Sequence, residues 1–396
     1  MKVAVVKERR AFEHRVAASP DTIKRMIGMS LEVVVESGAG EGAWFSDAAF
    51  AEAGASIAAD EAMALSDADI VLKVQRPLIG GEGGPEGDID ELALFKRGAV
   101  LIGLLQPAQN PADAEAYAGA GIAAFAMELV PRITRAQTMD VLSSQANLAG
   151  YKAVVDAAAE FGRAFPMMMT AAGTIKAARI LVMGAGVAGL QAIATGRRLG
   201  GIVSATDVRA AAKEQVESLG ATFITVDEAA ARTAETAGGY AREMGEDYQQ
   251  RQRERITAAL KRTDIVICTA LIPGRKAPVL LTSEMVAELA AGSVIVDLAV
   301  EAGGNVEGSR PEETVLTPNG VKIIGPANMP SRIAADASQL YARNLLSFLA
   351  LLVDKDKGLK IDTADEIIKA TLLTENGAVV NPLLGPPAAA EAAASN

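Results

Sequence analysis

Residues 131–151, PRITRAQTMDVLSSQANLAGY, place Arg132, Gln137, Asp140 and Ser143 between a strand-like apolar run and a helical stretch. Their guanidinium, amide, carboxylate and hydroxyl groups suit a carboxamide and a ribose as ligands, and none is a good proton carrier near neutral pH. The alternative is a loop capped by its own side chains, with Asp140 or Ser143 as a helix N-cap. A stronger signal follows in RILVMGAGVAGLQAIATGRRLG (179–200), where Gly184, Gly186 and Gly189 make G-x-G-x-x-G directly after an apolar strand and open a helix. Such glycines permit a tight turn and close backbone approach, and the helix N-terminus attracts a pyrophosphate. The next run, IVSATDV, carries Asp207 at the spacing of a ribose-binding acid. A carboxylate there accepts from a 2′-hydroxyl and repels a 2′-phosphate, which favours NAD(H) over NADP(H). Arg209 argues the other way, but Asp207 sits at the strand end, where the ribose arrives. A second glycine cluster, ESGAGEGAW (36–44), has the wrong spacing and carries Glu41, so it reads as a structural turn.

The elements that must hold these groups are legible as short Val- and Ile-rich runs. VAVV, LEVVVES, DIVLKVQ, AVLIGLL and IAAFAMEL fill the earlier half; ARILVMGAG, IVSATDV, TFITV, DIVICTA, SVIVDLA and VKIIG fill the later half. Continuous apolarity marks strands buried on both faces, hence parallel sheets covered by helices. The alternation predicts an α/β fold of two doubly wound, Rossmann-like domains with a cleft between them. Long helices are expected over 140–165 and 331–353, running out to the second domain and back. The expected domains are 1–142 with 332–396, and a nucleotide-binding domain over 143–331. The Pro/Ala-rich end, 383–396, is expected to be disordered.

Composition narrows the chemistry. Forty-nine acidic against thirty-eight basic residues give a net charge of −11, which disfavours nucleic acid as a partner. The longest apolar run, LLSFLALLV (345–353), falls short of the ~20 residues of a membrane span, and the N-terminus turns charged too early for a secretory signal. A soluble intracellular chain is expected. Cys268, the one cysteine, excludes a disulfide scaffold and reads as a buried strand residue, and no metal site is expected. His14 is the one histidine, in a chain otherwise without the usual general acid/base at neutral pH.

Over nearly its whole length the chain resembles the NAD(H)-binding component, domain I, of proton-translocating transhydrogenase. The resemblance is carried by MELVPRITRAQTMDVLSSQANLAGY, MTAAGT, GAGVAGLQAI, ATDVR, KEQVESLGA, TAETAGGYAREMG, TALIPGRKAPVL and GSVIVDLAVEAGGN, and weakens at 77–95 and in the tail. It implies that Arg132, Ile133, Thr134, Gln137, Thr138, Met139, Asp140 and Ser143 hold the nicotinamide end, with Gln137 also reaching the ribose and setting the transfer geometry. It implies that Val187 lies at the pyrophosphate turn and Asp207, Val208 and Arg209 at the adenosine end. The segment 233–252 matches the family's mobile loop, with Tyr240 as its closing residue and Gly239, Gln252 and Leu271 also lining the NAD site. Its polar composition and Gly-Gly pair suit a lid.

The resemblance further implies hydride transfer from NADH to NADP+ held on a partner subunit, coupled to proton movement through a membrane-spanning subunit. It also implies a homodimer, cytoplasmic and peripheral to the inner membrane. Exchange of hydride between two nicotinamides leaves no substrate proton to remove, which accounts for the scarcity of histidine. Alanine dehydrogenases share the architecture and are the alternative, with Arg15 and Lys73 as a carboxylate clamp and Asp297 or Glu301 after a later strand. That family's catalytic histidine would fall within 100–108, where this chain has none. Without it, Arg15 and Lys73 are expected to be structural, paired with local acids.

Overall fold

The structure, a computed structural model, describes residues 1–85, 87–225, 246–271, 274–354 and 358–385, with side chains left undescribed at 246–249. It divides into two compact units, Met1–Gln145 with Ser331–Asn396, and Ala146–Pro330. The division falls inside the helix Val141–Glu160.

In the first unit the apolar runs become β1 (Lys2–Val5), β2 (Glu32–Glu36), β3 (Ser56–Ala58), β4 (Ile70–Gln75), β5 (Val100–Leu104) and β6 (Ala123–Ala126). All pair in parallel, in the order β6-β5-β4-β1-β2-β3. Because strand side chains alternate, Val3, Val5, Leu72, Ile102 and Phe125 enter one core, and Ala4, Val71, Leu101 and Ala124 the other. Both faces are buried, which is why the runs read as continuously apolar.

In the second unit the helix Val141–Glu160 is followed by an antiparallel hairpin, β7 (Met168–Thr170) and β8 (Gly173–Ile175). Its sheet comprises β9 (Arg179–Met183), β10 (Ile202–Thr206), β11 (Thr222–Phe223), β12 (Ile265–Cys268), β13 (Val294–Asp297), β14 (Thr314–Leu316) and β15 (Lys322–Ile324). The order is β11-β10-β9-β12-β13-β15-β14, parallel except where β14 meets β15. The first strand, β9, has its successors on one side and β12 on the other, so the point where the strand order reverses lies between β9 and β12.

The chain then returns to the first unit through a 3-10 turn, Met329–Ile333, and the helix Ala334–Leu352. Tyr341, Leu345 and Phe348 of this helix fill the first core, Phe348 meeting Phe125 edge-on at 5.4 Å. After a small ribbon, β16 (Val353–Asp354) and β17 (Gly358–Leu359), β18 (Leu372–Glu375) adds antiparallel to β6 and carries β19 (Ala378–Val379) at the sheet edge.

The two α/β parallel-sheet units expected from the sequence are present, and their strands form at the apolar runs. The helix expected over 140–165 ends at Glu160, ahead of Gly162 and Pro166; proline disfavours helix in the residue before it. The expected disorder does not begin at 383: Pro382–Leu384 form a 3-10 turn, because Asn381 Oδ1 accepts from Leu383 N at 3.0 Å. The rest of that tail, 386–396, lies outside the described residues. Among the described residues no helix is long and apolar enough to cross a membrane.

Candidate functional site

The glycine turn leaves the C-terminal end of β9 at the strand-order reversal of the second unit, where open α/β sheets bind ligands. Gly184 has φ +100°, which L side chains rarely adopt, and donates its N–H to Thr206 O at 2.9 Å. A Cβ at Gly189 would stand 1.8 Å from Gly184 O, so the third glycine lets the helix Val187–Arg198 lie directly on the turn. A Cβ at Gly186 would meet nothing within 4 Å, which leaves room for a ligand against the backbone. Gly186 caps this helix without a side-chain hydrogen bond, and Val187 follows it partly exposed. The N–H groups of the first turn and the helix dipole make an anion cradle that suits a pyrophosphate.

Asp207 follows β10 and ties itself to the turn: Oδ2 accepts from Ala185 N at 2.7 Å. Arg209 grips the same carboxylate, Nε on Oδ1 and Nη2 on Oδ2, both at 2.9 Å, and its backbone N–H also reaches Oδ1. The two side chains read as opposing signals in the sequence are thus one ion pair, with half-buried Val208 between them. Leu271, exposed, follows β12, which pairs in register with β9, so it belongs to the same sheet edge. Gln252 is half-buried on the helix Glu246–Leu260. Gly239 and Tyr240 lie outside the described residues. Two supports were missed: Thr269 donates to Gly184 O at 3.0 Å, and Asn305 brackets Ala270 through its N–H and its carbonyl. Both act through backbone atoms far apart in sequence, which no local pattern marks.

In the first unit the stretch 131–143 is a 3-10 turn, Thr134–Met139, anchored by buried Ala136 and Met139. Arg132, Thr134, Gln137 and Thr138 are exposed on it; Ile133 and Asp140 are half-buried. Asp140 Oδ1 accepts from Ser143 N at 2.9 Å and Oδ2 from the Ser143 hydroxyl, so this pair caps the helix that starts at Val141. Asn344 Nδ2 donates to Thr138 O at 2.8 Å, and Arg135 forks onto Asp365 at 2.7 and 2.9 Å. That fork holds the Asp365 carboxyl down at about 2. The turn is therefore fixed from beneath, presenting amide and guanidinium groups outward.

Arg15 and Lys73 are deeply buried and paired with acids of their own unit. Glu13 grips Arg15 at 2.6 Å, Gln145 Oε1 accepts from Arg15 at 2.8 Å, and Glu91 meets Lys73 at 2.6 Å with Glu8 at 3.6 Å. Burial pushes Glu8 up to about 7, against the pull of Lys73, and raises Glu61 to about 8 with help from the charge of Glu91. Asp297 is consumed by backbone, accepting from Ala299, Asn305 and Val306 N–H groups, and Glu301 accepts from Asn328 N. His14 is exposed. The 36–44 cluster is a packed turn, where a Cβ at Gly42 would stand 2.6 Å from His14 O.

Two doubly wound sheets, one with a pyrophosphate-type glycine turn backed by an acid, define a dinucleotide-binding protein of the dehydrogenase kind. The chain belongs to the alanine dehydrogenase/PNT family: the N-terminal domain model of that family matches residues 4–149 and the C-terminal domain model residues 153–382. It is 58% identical over 385 residues to an NAD(P) transhydrogenase subunit alpha chain of Rhodospirillum rubrum, covering 97% of this chain and 99% of that one. Among solved structures, a transhydrogenase from Sinorhizobium meliloti superposes with a TM-score of 0.85 at 50% identity, covering 96% of this chain and all of that one. An L-alanine dehydrogenase is more distant, with a TM-score of 0.79 and 25% identity over 97% and 98% of the two chains.

Proposed function

We infer that this chain is the NAD(H)-binding alpha component of an NAD(P) transhydrogenase, passing hydride from NADH to NADP+ held on a partner subunit. The observation that carries this is the 58% identity over 97% of the chain, with the glycine turn and its acid intact. Bound NADH supplies the hydride. The N-terminus of the helix Val187–Arg198 holds the pyrophosphate, and Asp207 accepts from the adenosine ribose while sharing its oxygens with Arg209. Arg132 and Gln137 orient the nicotinamide carboxamide and ribose; Ile133, Thr134, Thr138, Met139, Asp140 and Ser143 shape and stiffen their turn. None of these groups has to move a proton, because hydride exchange between nicotinamides releases none. The working assembly is a homodimer with an NADP(H)-binding subunit and membrane-spanning subunits that couple transfer to proton translocation, this chain being cytoplasmic and peripheral to the membrane.

The alanine dehydrogenase reading draws on the shared family and fold. Against it stand the closed pairs Arg15–Glu13 and Lys73–Glu91 and the lone exposed histidine. The test is NADH oxidation by purified chain already shown to bind NADH. With pyruvate and ammonium no turnover is expected; with an NADP(H)-binding partner subunit and NADP+, hydride transfer is. The reverse pattern replaces this reading with the dehydrogenase one.

A further inference from the structure

The first unit has its own strand-order reversal, between β1 and β4, outside whose C-terminal ends an α/β sheet offers a ligand crevice. Two guanidiniums converge there. Arg10, in the segment after β1, and Arg76, directly after β4, both hold the carboxylate of Glu82: Arg10 Nη2 meets Oε2 at 2.8 Å and Arg76 Nη2 meets Oε1 at 2.6 Å. Ile79 N adds a bond to Oε2 at 3.1 Å. One carboxylate therefore has each oxygen on a different arginine, with a backbone N–H completing the cradle.

Neither arginine depends on Glu82 for its position. Arg10 Nε donates to Arg76 O at 2.8 Å and its Nη2 to Pro77 O at 3.0 Å, while Arg76 Nη1 is held by Asp113 at 2.8 Å. Removing Glu82 leaves two fixed cations against one remaining acid among the described ion pairs, Asp113, and both guanidinium side chains are largely shielded from water. Glu82 itself is more exposed and rides on a glycine-rich strap. Gly81, Gly83 and Gly87 have φ of +89°, +69° and +106°, and a Cβ at any of them would meet nothing within 4 Å. The strap is tied at its far end by Glu91, which accepts from Leu78 N and Lys73.

We propose that Arg10 and Arg76 form a binding site for a small-molecule carboxylate, and that Glu82 is the tethered internal anion that occupies it. Arginine forks match planar carboxylates, and Glu82 is the more exposed partner in both pairs. The tethered carboxylate competes at an effective concentration on the order of millimolar. It sets a threshold, so that only a ligand with more than one carboxylate, or at high concentration, displaces the Glu82 carboxylate. The site is separate from the nucleotide turn, and the proposal stands whether or not the transhydrogenase reading holds.

The test titrates malonate, with inorganic phosphate and chloride as comparators at constant ionic strength, into the full chain and its Glu82→Gln variant by calorimetry. Glu82→Gln is expected to bind malonate at least tenfold more tightly than the parent, and more tightly than phosphate. Adding Arg76→Gln to that variant is expected to abolish the gain. Arg10→Gln in the same background gives the same readout should the Arg76 variant not fold, with circular dichroism and NADH binding as the controls for folding. Saturable malonate binding absent from folded Glu82→Gln protein overturns the proposal. So does malonate affinity indifferent to both arginines, and phosphate binding tighter than malonate overturns the assignment to carboxylates.

Discussion

Asp207 accepts hydrogen bonds on both oxygens, from the turn through Ala185 and from Arg209. A ribose diol then shares these oxygens with the guanidinium, while a 2′-phosphate would face the carboxylate. NADH is therefore expected to bind more tightly than NADPH in direct titration. Asp207→Asn should cost roughly 1.5–3 kcal/mol of NADH affinity, the range for hydrogen bonds to a charged group; equal affinity of the parent for the two nucleotides contradicts the role. Gln137 stands exposed on a turn fixed from beneath. Gln137→Ala is expected to slow single-turnover hydride transfer in the reconstituted complex, with little change in the thermal midpoint. Lys73 is a different kind of residue, an ammonium buried between Glu91 and Glu8. Lys73→Met leaves two buried acids uncompensated and should destabilise by about 3–5 kcal/mol in urea unfolding. Adding Glu91→Gln should recover part of that, and full additivity of the two losses argues against a shared network.

At the scale of elements, the helix Val187–Arg198 lies on its turn because Gly189 has no Cβ to strike Gly184 O. Gly189→Ala must lift the helix off the turn, so NADH affinity should fall at least tenfold while the far-ultraviolet spectrum stays native. Undiminished affinity argues that the turn is not the pyrophosphate cradle. The turn and the parallel strands were legible because their cause is local: VAV, IVL, ILVM and VIV are buried on both faces whatever their neighbours. The segment Leu372–Glu375 was not, since β18 exists by pairing with β6, far away in sequence, and with β19. Nor were β7 and β8, whose outward-facing Met and Thr residues show no apolar period. In the site, the glycines and Asp207 announce themselves by spacing. The Asn305 bracket and the Glu91 partner of Lys73 depend on where distant strands end, and spacing does not encode that.

For the whole molecule, the first unit holds glutamates pushed upward by burial, Glu8 to about 7, Glu61 to about 8 and Glu128 to about 7, and burial raises Asp113 as well. Each of these glutamates has a folded value above its ordinary 4.5. The stability such a group contributes is complete below 4.5 and is lost as pH rises through the folded value, because the unfolded chain releases the proton earlier. Glu82, Glu91 and Asp365 are shifted the other way, so their contribution is lost only as pH falls below the ordinary carboxylate range. Stability of this unit is therefore expected to decline from about pH 5.5 to about 8.5, with proton uptake on folding. Urea midpoints at the two ends of that window and at neutrality check it, and a midpoint that climbs with pH contradicts it.

The return of the chain to its first unit also sets an order of assembly. Residues 146–330 are contiguous and complete their own sheet as soon as they leave the ribosome. The first six strands, made earlier, wait for Tyr341 and Phe348 to cover one face and for Thr374 to reach Ile122 O across 252 positions. At roughly 5–20 residues per second, that wait is on the order of ten to fifty seconds. Throughout it, Val3, Val5, Ile102 and Phe125 belong to a face covered only in part, by Ile23, Met26 and Phe50, and the half synthesised first is the half finished last. Nascent chains stalled near residue 330 should be client to a chaperone through that face, a liability that comes from chain order alone.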